Sequence, residues 1–309
     1  MLTYVVKRLL WLPFLLIAVT LITFTLGFYG PGDPAEVRLG AKATPESVER
    51  LRTQMGLDRP FVTQYTDYVW SALQGDFGES YSLADRQVTE IIGRKVWISA
   101  QLGMAALALA VIIGIPLGLL AAYHQGTWMD TALISFALLF YATPVFISAP
   151  FLILLLSLWL NLLPTAGWGG LLSTQIIMPT LVMGLPGVAG LSRLTRASAL
   201  EVLGEDYVRT ARSKGLSESV IQSRHVLRNA LIPITTVLGL SLATLVEGAF
   251  ITETIFGIPG IGRFAVDSIF NRDYPVVMAL VIIVAVTFVL ANLLVDIFYA
   301  LLDPRIRYK

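Results

Sequence analysis

Six runs of apolar residues dominate this chain, near Leu9–Phe28, Ile98–Ala122, Thr131–Leu160, Ile176–Leu194, Ala230–Ile251 and Pro275–Leu302. Each reaches the roughly 17–25 residues that a helix needs to cross a bilayer. The third is overlong and carries Pro144 and Pro150, which predicts a kink, a tilt or a break near its outer end. Prolines and glycines recur in the other runs (Pro116, Pro186, Pro233, Gly184, Gly187, Gly190). In lipid they are tolerated where neighbouring helices satisfy the freed backbone, so they predict a packed bundle. Gly114 and Gly118 stand at the small-xxx-small spacing that lets two helices approach closely.

Two polar interruptions break this pattern. The segment 30–95 follows the first run and opens on the turn chemistry PGDP. Thr44-Pro45-Glu46-Ser47 there reads as a cap with proline at the first helical position, starting a helix to about Met55. A second amphipathic stretch covers Pro60–Leu73, and Gly75-Asp76-Phe77-Gly78 forms a turn. The segment is too small for an enzyme domain of its own and is expected to form an external cap on the bundle, within a single domain 1–309.

The second interruption, residues 193–228, has seven basic residues (Arg193, Arg196, Arg209, Arg212, Lys214, Arg224, Arg228) against four acids (Glu201, Glu205, Asp206, Glu218). Ser192 to Leu203 extends the fourth run as a helix, and Gly204 is placed to end it. Glu205 and Asp206 then stand at the start of a short helix, and Arg209, Arg212 and Lys214 at its end, the charge order that the helix dipole favours. Gly215 closes this helix, and Ser217-Glu218 begins another that runs into the fifth span. The bland alternative is a solvated loop obeying the charge bias of membrane proteins. The sharper reading is a stiff lever, because a connection needs far fewer residues.

Composition agrees with the pattern. Of 309 residues, 56% are hydrophobic and 14% charged, where soluble domains run near one quarter charged. The net charge of +1 gives no argument for a nucleic-acid partner. Cysteine is absent, which removes disulfides, thiolate metal sites and a cysteine nucleophile. Lys7 and Arg8 precede the first run, which is too long for a signal-peptide core and lacks a cleavage site, so a retained helix is expected. Counting Lys and Arg in short loops places both termini and the 193–228 loop in the cytoplasm, with Arg305, Arg307 and Lys309 on that side. In 30–95, ten acids outnumber eight bases, and so long a segment translocates largely regardless of charge.

Among single residues, Glu247 in the outer half of the fifth span is a candidate for the translocation path or an external gate, with snorkelling or local pairing as the alternative. Asp296, near the inner end of the sixth, reads as structural. His124 and His225 lie in different loops with no partner at ligand spacing, so no metal site is expected. Gly257-Ile-Pro-Gly-Ile-Gly262 is a turn and not a dinucleotide fingerprint. Trp97, Trp128, Trp159 and Trp168 near span ends fit an interfacial belt.

The order Asp206-Tyr-Val-Arg-Thr-Ala-Arg-Ser-Lys-Gly215-Leu, followed by His225-Val-Leu-Arg-Asn-Ala-Leu-Ile-Pro233, resembles the cytoplasmic signature of permease subunits of ATP-binding-cassette importers, specifically the peptide, opine and nickel branch. The wider family writes Glu-Ala-Ala, three residues, Gly, nine residues, Ile-x-Leu-Pro. Here the triplet is Arg209-Thr210-Ala211 with Gly215 in register, and His225-Val-Leu227-Arg takes the later place. The stretches LRTQMGLDRPFVTQY, GDFGES, IFGIPGIGRFAVDSIFNRDYPVV and NLLVDIFYALLDPRIRY are similar to the first permease of such a pair.

The resemblance implies an all-α, six-span type I importer permease with an external segment after the first helix, in a bacterial or archaeal plasma membrane. It implies half of a translocation path, a second homologous permease as heterodimer partner, two cytoplasmic ATPases and an external solute-binding protein. Glu205, Asp206, Tyr207, Arg209, Thr210, Ala211, Lys214, Gly215 and Leu216 would form the ATPase dock. No Gly-x4-Gly-Lys-Ser/Thr is present, so ATP and Mg would belong to the partners, and no catalytic residue or cofactor is expected here. Di- or oligopeptides are the implied cargo, with nickel chelates, glutathione or sugars as alternatives. An intramembrane protease lacks its motifs here, and a channel or secondary transporter would need no ATPase dock.

Overall fold

Proline and glycine set where the helices stop. The computed structural model describes residues 2–30, 33–40, 43–83, 86–244 and 249–302, and among these no strand occurs. The elements are α1 (Leu2–Tyr29), α2 (Pro34–Leu39), α3 (Pro45–Gln54), α4 (Phe61–Leu73), α5 (Val88–Tyr123), α6 (Trp128–Ala142), α7 (Val145–Leu152), α8 (Ile177–Leu203), α9 (Asp206–Ser213), α10 (Glu218–Val220), α11 (Arg228–Thr244), α12 (Phe250–Ile255), α13 (Ile261–Phe270) and α14 (Tyr274–Leu302). Helices α1, α5, α8, α11 and α14 and the bent pair α6–α7 answer to the six apolar runs.

Three boundaries differ from expectation. Helix α5 starts at Val88, ten residues before the apolar run, because Val88, Ile91 and Ile92 are buried against α13 and α14 while Glu90 and Arg94 stay exposed. The third run is broken at its middle rather than near its outer end: α6 and α7 meet at 101°. Pro144 has no N–H and drives Thr143 to an extended conformation (φ −87°, ψ 116°), and the Thr143 hydroxyl donates to the Leu139 carbonyl at 2.7 Å. Beyond Pro150 the helix widens into a π turn over Ile153–Trp159. The fifth run does not continue as one helix to Ile251. Ala249 is non-helical (φ −120°, ψ 76°), and Phe250 and Ile251 belong to α12.

Helices α5 and α8 form the spine. Gly114 and Gly118 face α8 so closely that a Cβ on Gly114 would stand 2.9 Å from the Val188 carbonyl oxygen, and one on Gly118 2.5 Å from Thr195 Cβ. The small-xxx-small spacing is therefore a packing seam. At the end near α12, Leu102, Met178, Val182, Phe256 and Ile258 form a buried cluster. Trp168 packs against it, so the expected interfacial belt keeps only exposed Trp97, Trp128 and Trp159.

The segment between α1 and α5 packs on α1 through aromatic edges. Phe24 meets Phe61 at 5.3 Å and Tyr65 at 5.5 Å between ring centroids, and Phe28 meets Phe61 at 5.2 Å. The Thr44 hydroxyl caps α3 by accepting from the Ser47 N–H, as the sequence predicts. A second attachment comes from Asp273, fully buried before α14. Its carboxylate accepts from the Ser80 hydroxyl (2.5 Å), the Ser82 hydroxyl (2.6 Å), and the Tyr81 and Ser82 N–H groups (3.0 and 3.1 Å). Burial, with the Asp273 charge adding to it, pushes the Tyr81 phenol up to about 12. Asp273→Ala leaves these donors without their acceptor, at about 1–3 kcal/mol per unsatisfied group. The 75–87 stretch is therefore expected to be cut by protease at least about tenfold faster. An unchanged digestion pattern would show that the aromatic contacts suffice.

Candidate functional site

The connection between α8 and α11 folds as its capping signals dictate. Helix α8 ends at Gly204, whose N–H reaches the Leu200 and Glu201 carbonyls. Glu205 is extended (φ −72°, ψ 147°) and precedes α9 as its cap residue, and Asp206 opens the first turn. Helix α9 closes on a Schellman motif: Gly215 has φ +77°, its N–H donates to the Arg212 carbonyl (2.9 Å), and the Leu216 N–H donates to Ala211 (3.3 Å). Ser217 is extended and starts a continuous helix, α10 passing through a π turn over Ile221–Leu227 into α11.

Side chains divide this short helix into two faces. Val208 and Ala211, one turn apart, are buried against Ala122, Ala199, Ile221, Val226 and Ala230. Ala211 thus seats the helix and does not belong to its outer surface. Glu205, Asp206, Tyr207, Arg209, Thr210, Lys214, Gly215 and Leu216 are exposed. Tyr207 and Leu216, both 42% exposed, put apolar area beside the bases. Two cross-links stiffen the arrangement. Arg212 holds both Glu218 carboxylate oxygens (2.8 and 3.4 Å), which keeps that carboxyl below its usual range, and Asn229 of α11 donates to the Tyr207 hydroxyl (3.0 Å). The Arg209–Asp206 pair, 74% and 92% exposed, contributes little.

Glu247 lies outside the described residues. Three buried carboxylates are not evident from the sequence: Asp130, which binds Arg196; Asp273, which binds Ser80; and Glu253, which binds Ser99. Their side-chain partners Arg196, Ser80 and Ser99 stand 66 to 193 positions away in the chain, so local spacing carries no sign of them.

Residues 114–308 match the model of the binding-protein-dependent transport system inner membrane component, and residues 1–87 match the N-terminal model of such membrane components. The chain belongs to this family. It is 38% identical to the dipeptide transport system permease protein DppB of Escherichia coli over all of both chains. It is 40% identical to the glutathione transport system permease protein GsiC of Shigella flexneri, again over both entire chains. It is 37% identical to a probable peptide ABC transporter permease protein of Sinorhizobium fredii, over 99% of each. The fold is similar to those of an amino acid ABC transporter (TM-score 0.54, 15% identity, 68% of this chain and 94% of that one) and the methionine transporter MetNI in an inward-facing conformation (0.53, 16%, 69% and 96%). The chain is an all-α, multi-pass permease subunit of the inner membrane, and the family works with ATPase and binding-protein components.

Proposed function

We propose that this permease forms half of the path of a peptide importer and that α9 is where an ATPase takes hold. The observation that carries the reading is the construction of α9. It is a short helix seated through Val208 and Ala211, closed by the Schellman turn, tied to α11 through Tyr207 and Asn229, and joined to α8 by only Gly204 and Glu205. A groove that grips Tyr207, Leu216 and the adjacent bases would move α8 and α11 together. The α9 face and both termini are then cytoplasmic, the segment after α1 is external, and a homologous permease completes the path as a heterodimer. ATP and Mg are held by the two ATPases, and a solute-binding protein delivers cargo. Di- and oligopeptides are the proposed cargo, since relatives that match the whole chain are named for peptides, dipeptides and glutathione.

Replacing Tyr207 and Leu216 together by alanine removes apolar area from the exposed face and, with it, the Asn229 bond, but leaves the Val208 and Ala211 seat in place. Hot-spot side chains of this kind are worth about 2 kcal/mol or more each. ATPase subunits co-purifying with the permease are therefore expected to fall at least about tenfold, and peptide uptake with them. Full ATPase retention would sink the docking assignment, and uptake of non-peptide cargo alone would sink the cargo assignment.

A further inference from the structure

Helix α6 packs mainly along α8. Of its fifteen residues only Asp130 and Ala137 are buried, and Asp130 is the one with charged partners. The Asp130 carboxylate, 8% exposed, receives Arg196 Nε at 2.6 Å on one oxygen and the other guanidinium arm at 2.7 Å on the second. The Gly126 N–H adds a third bond at 3.2 Å and draws in the α5–α6 turn. One turn earlier on α8, the Arg193 guanidinium lies 4.6 Å from the ring centre of Tyr141, close to the other end of α6. Two arginines of α8 thus contact α6 near both of its ends.

Both arginines stand on the helix that leads into α9. Arg196 is seven residues before Leu203, about 10 Å along the axis. Helix α6 in turn ends on the 101° break at Thr143–Pro144, beyond which lies α7. A bidentate guanidinium–carboxylate pair has fixed geometry, so it transmits rotation as well as translation. We infer that Arg196 and Asp130 are positioning residues for transport: through them a displacement of α9 and α8 carries α6 along and is delivered to the break before α7. This inference rests on the reading of α9 as the ATPase dock.

The test uses the complete importer, with its second permease, ATPases and binding protein, in lipid. Because the chain has no cysteine, Phe136→Cys on α6 and Ala197→Cys on α8, both exposed positions, can carry a pair of nitroxides for distance measurement. With native Asp130 and Arg196 the distance is expected to stay the same without nucleotide and with ATP and vanadate. In Asp130→Asn or Arg196→Gln it should change by more than about 2 Å between the two states, the scale of helix shifts in such transitions, while the ATPases stay bound. The swapped protein, Asp130→Arg with Arg196→Asp, should restore the constant distance.

A constant distance in the single variants overturns the inference. So does loss of the ATPases from them, since the pair would then maintain the dock rather than carry its motion. Failure of the swap to restore the distance also counts against it. The Tyr207/Leu216 double variant separates the two readings: ATPases retained there sink the docking assignment, whatever the nitroxides report about α6 and α8.

Discussion

Gly118→Leu is expected to leave almost no assembled permease in the membrane. A Cβ at this position would collide with the Ser192 carbonyl oxygen, stand 2.5 Å from Thr195 Cβ and 3.1 Å from the Arg196 backbone nitrogen. Two of these three atoms belong to the backbone of α8 and cannot swing aside. The seam has no slack elsewhere: Gly114 meets the Val188 carbonyl, and from the other side Gly184 and Gly187 meet Leu109 and Ala110. In lipid the hydrophobic effect does not drive helices together, so this contact area is a main source of their attraction. Overpacking costs about 1–3 kcal/mol where side chains can adjust, and more where backbone must separate. Full-length protein eluting as a single species in detergent should fall about tenfold or more, with Gly118→Ala in between. A leucine variant as abundant and as monodisperse as the parent would mean that α5 and α8 do not need their close approach.

The loss would reach the α9 face, because Arg196 and the α8 end that carries Gly204 follow directly after the seam. Here the sequence was informative: the Gly114–Gly118 spacing marks one half of the contact, and glycines at 184 and 187 sit at a complementary stretch of α8. The capping pattern around α9 was equally legible. Each of its signals (Gly204, Glu205, Gly215, Ser217) acts through bonds to residues at most five positions away, which a linear reading captures. The bend before α7 was half legible. Pro144 and Pro150 announce a disturbance, but only the extended Thr143 shows which proline makes the break.

Long-range polar contacts were not legible. From the sequence alone Glu247 stands out as the ionisable group of the fifth run, and Glu253, six residues on, does not. No local pattern marks Glu253, since its distinguishing partner is Ser99 on another helix. Asp130 and Arg196 were likewise ordinary charges at loop boundaries until the fold brought them together. Helical periodicity and caps are properties of a segment, whereas a buried carboxylate is defined by the donors that surround it.

Glu253→Ala is expected to destabilise the α12–α13 part of the fold strongly. The side chain is fully buried. Its Oε1 accepts from the Ser99 hydroxyl at 2.5 Å and the Ala249 N–H at 3.2 Å, and its Oε2 from the Arg263 N–H at 2.8 Å. The Ser99 oxygen in turn accepts from the Ile261 N–H at 2.8 Å. Ala249 precedes α12, and Ile261 and Arg263 are in the first turn of α13, so one carboxylate serves the otherwise unpaired N–H groups of two helices and sits at the positive end of both. The turn between them is wound on this group: a Cβ on Gly260 would strike the carboxylate, and one on Gly262 would come within 3.2 Å of Oε2. Alanine leaves three donors without their acceptor and opens a cavity. At about 1–3 kcal/mol per donor, the loss is roughly 3–9 kcal/mol, a large part of the 5–15 kcal/mol that holds a typical domain. The melting midpoint in detergent should fall by about 10 °C or more. Glu253→Gln should fall between, since its amide oxygen can still accept from Ser99 and Ala249 while its NH2 group faces the Arg263 N–H. An alanine variant melting within about 2 °C of the parent would show that α12 and α13 are held by the Phe256 and Ile258 packing alone.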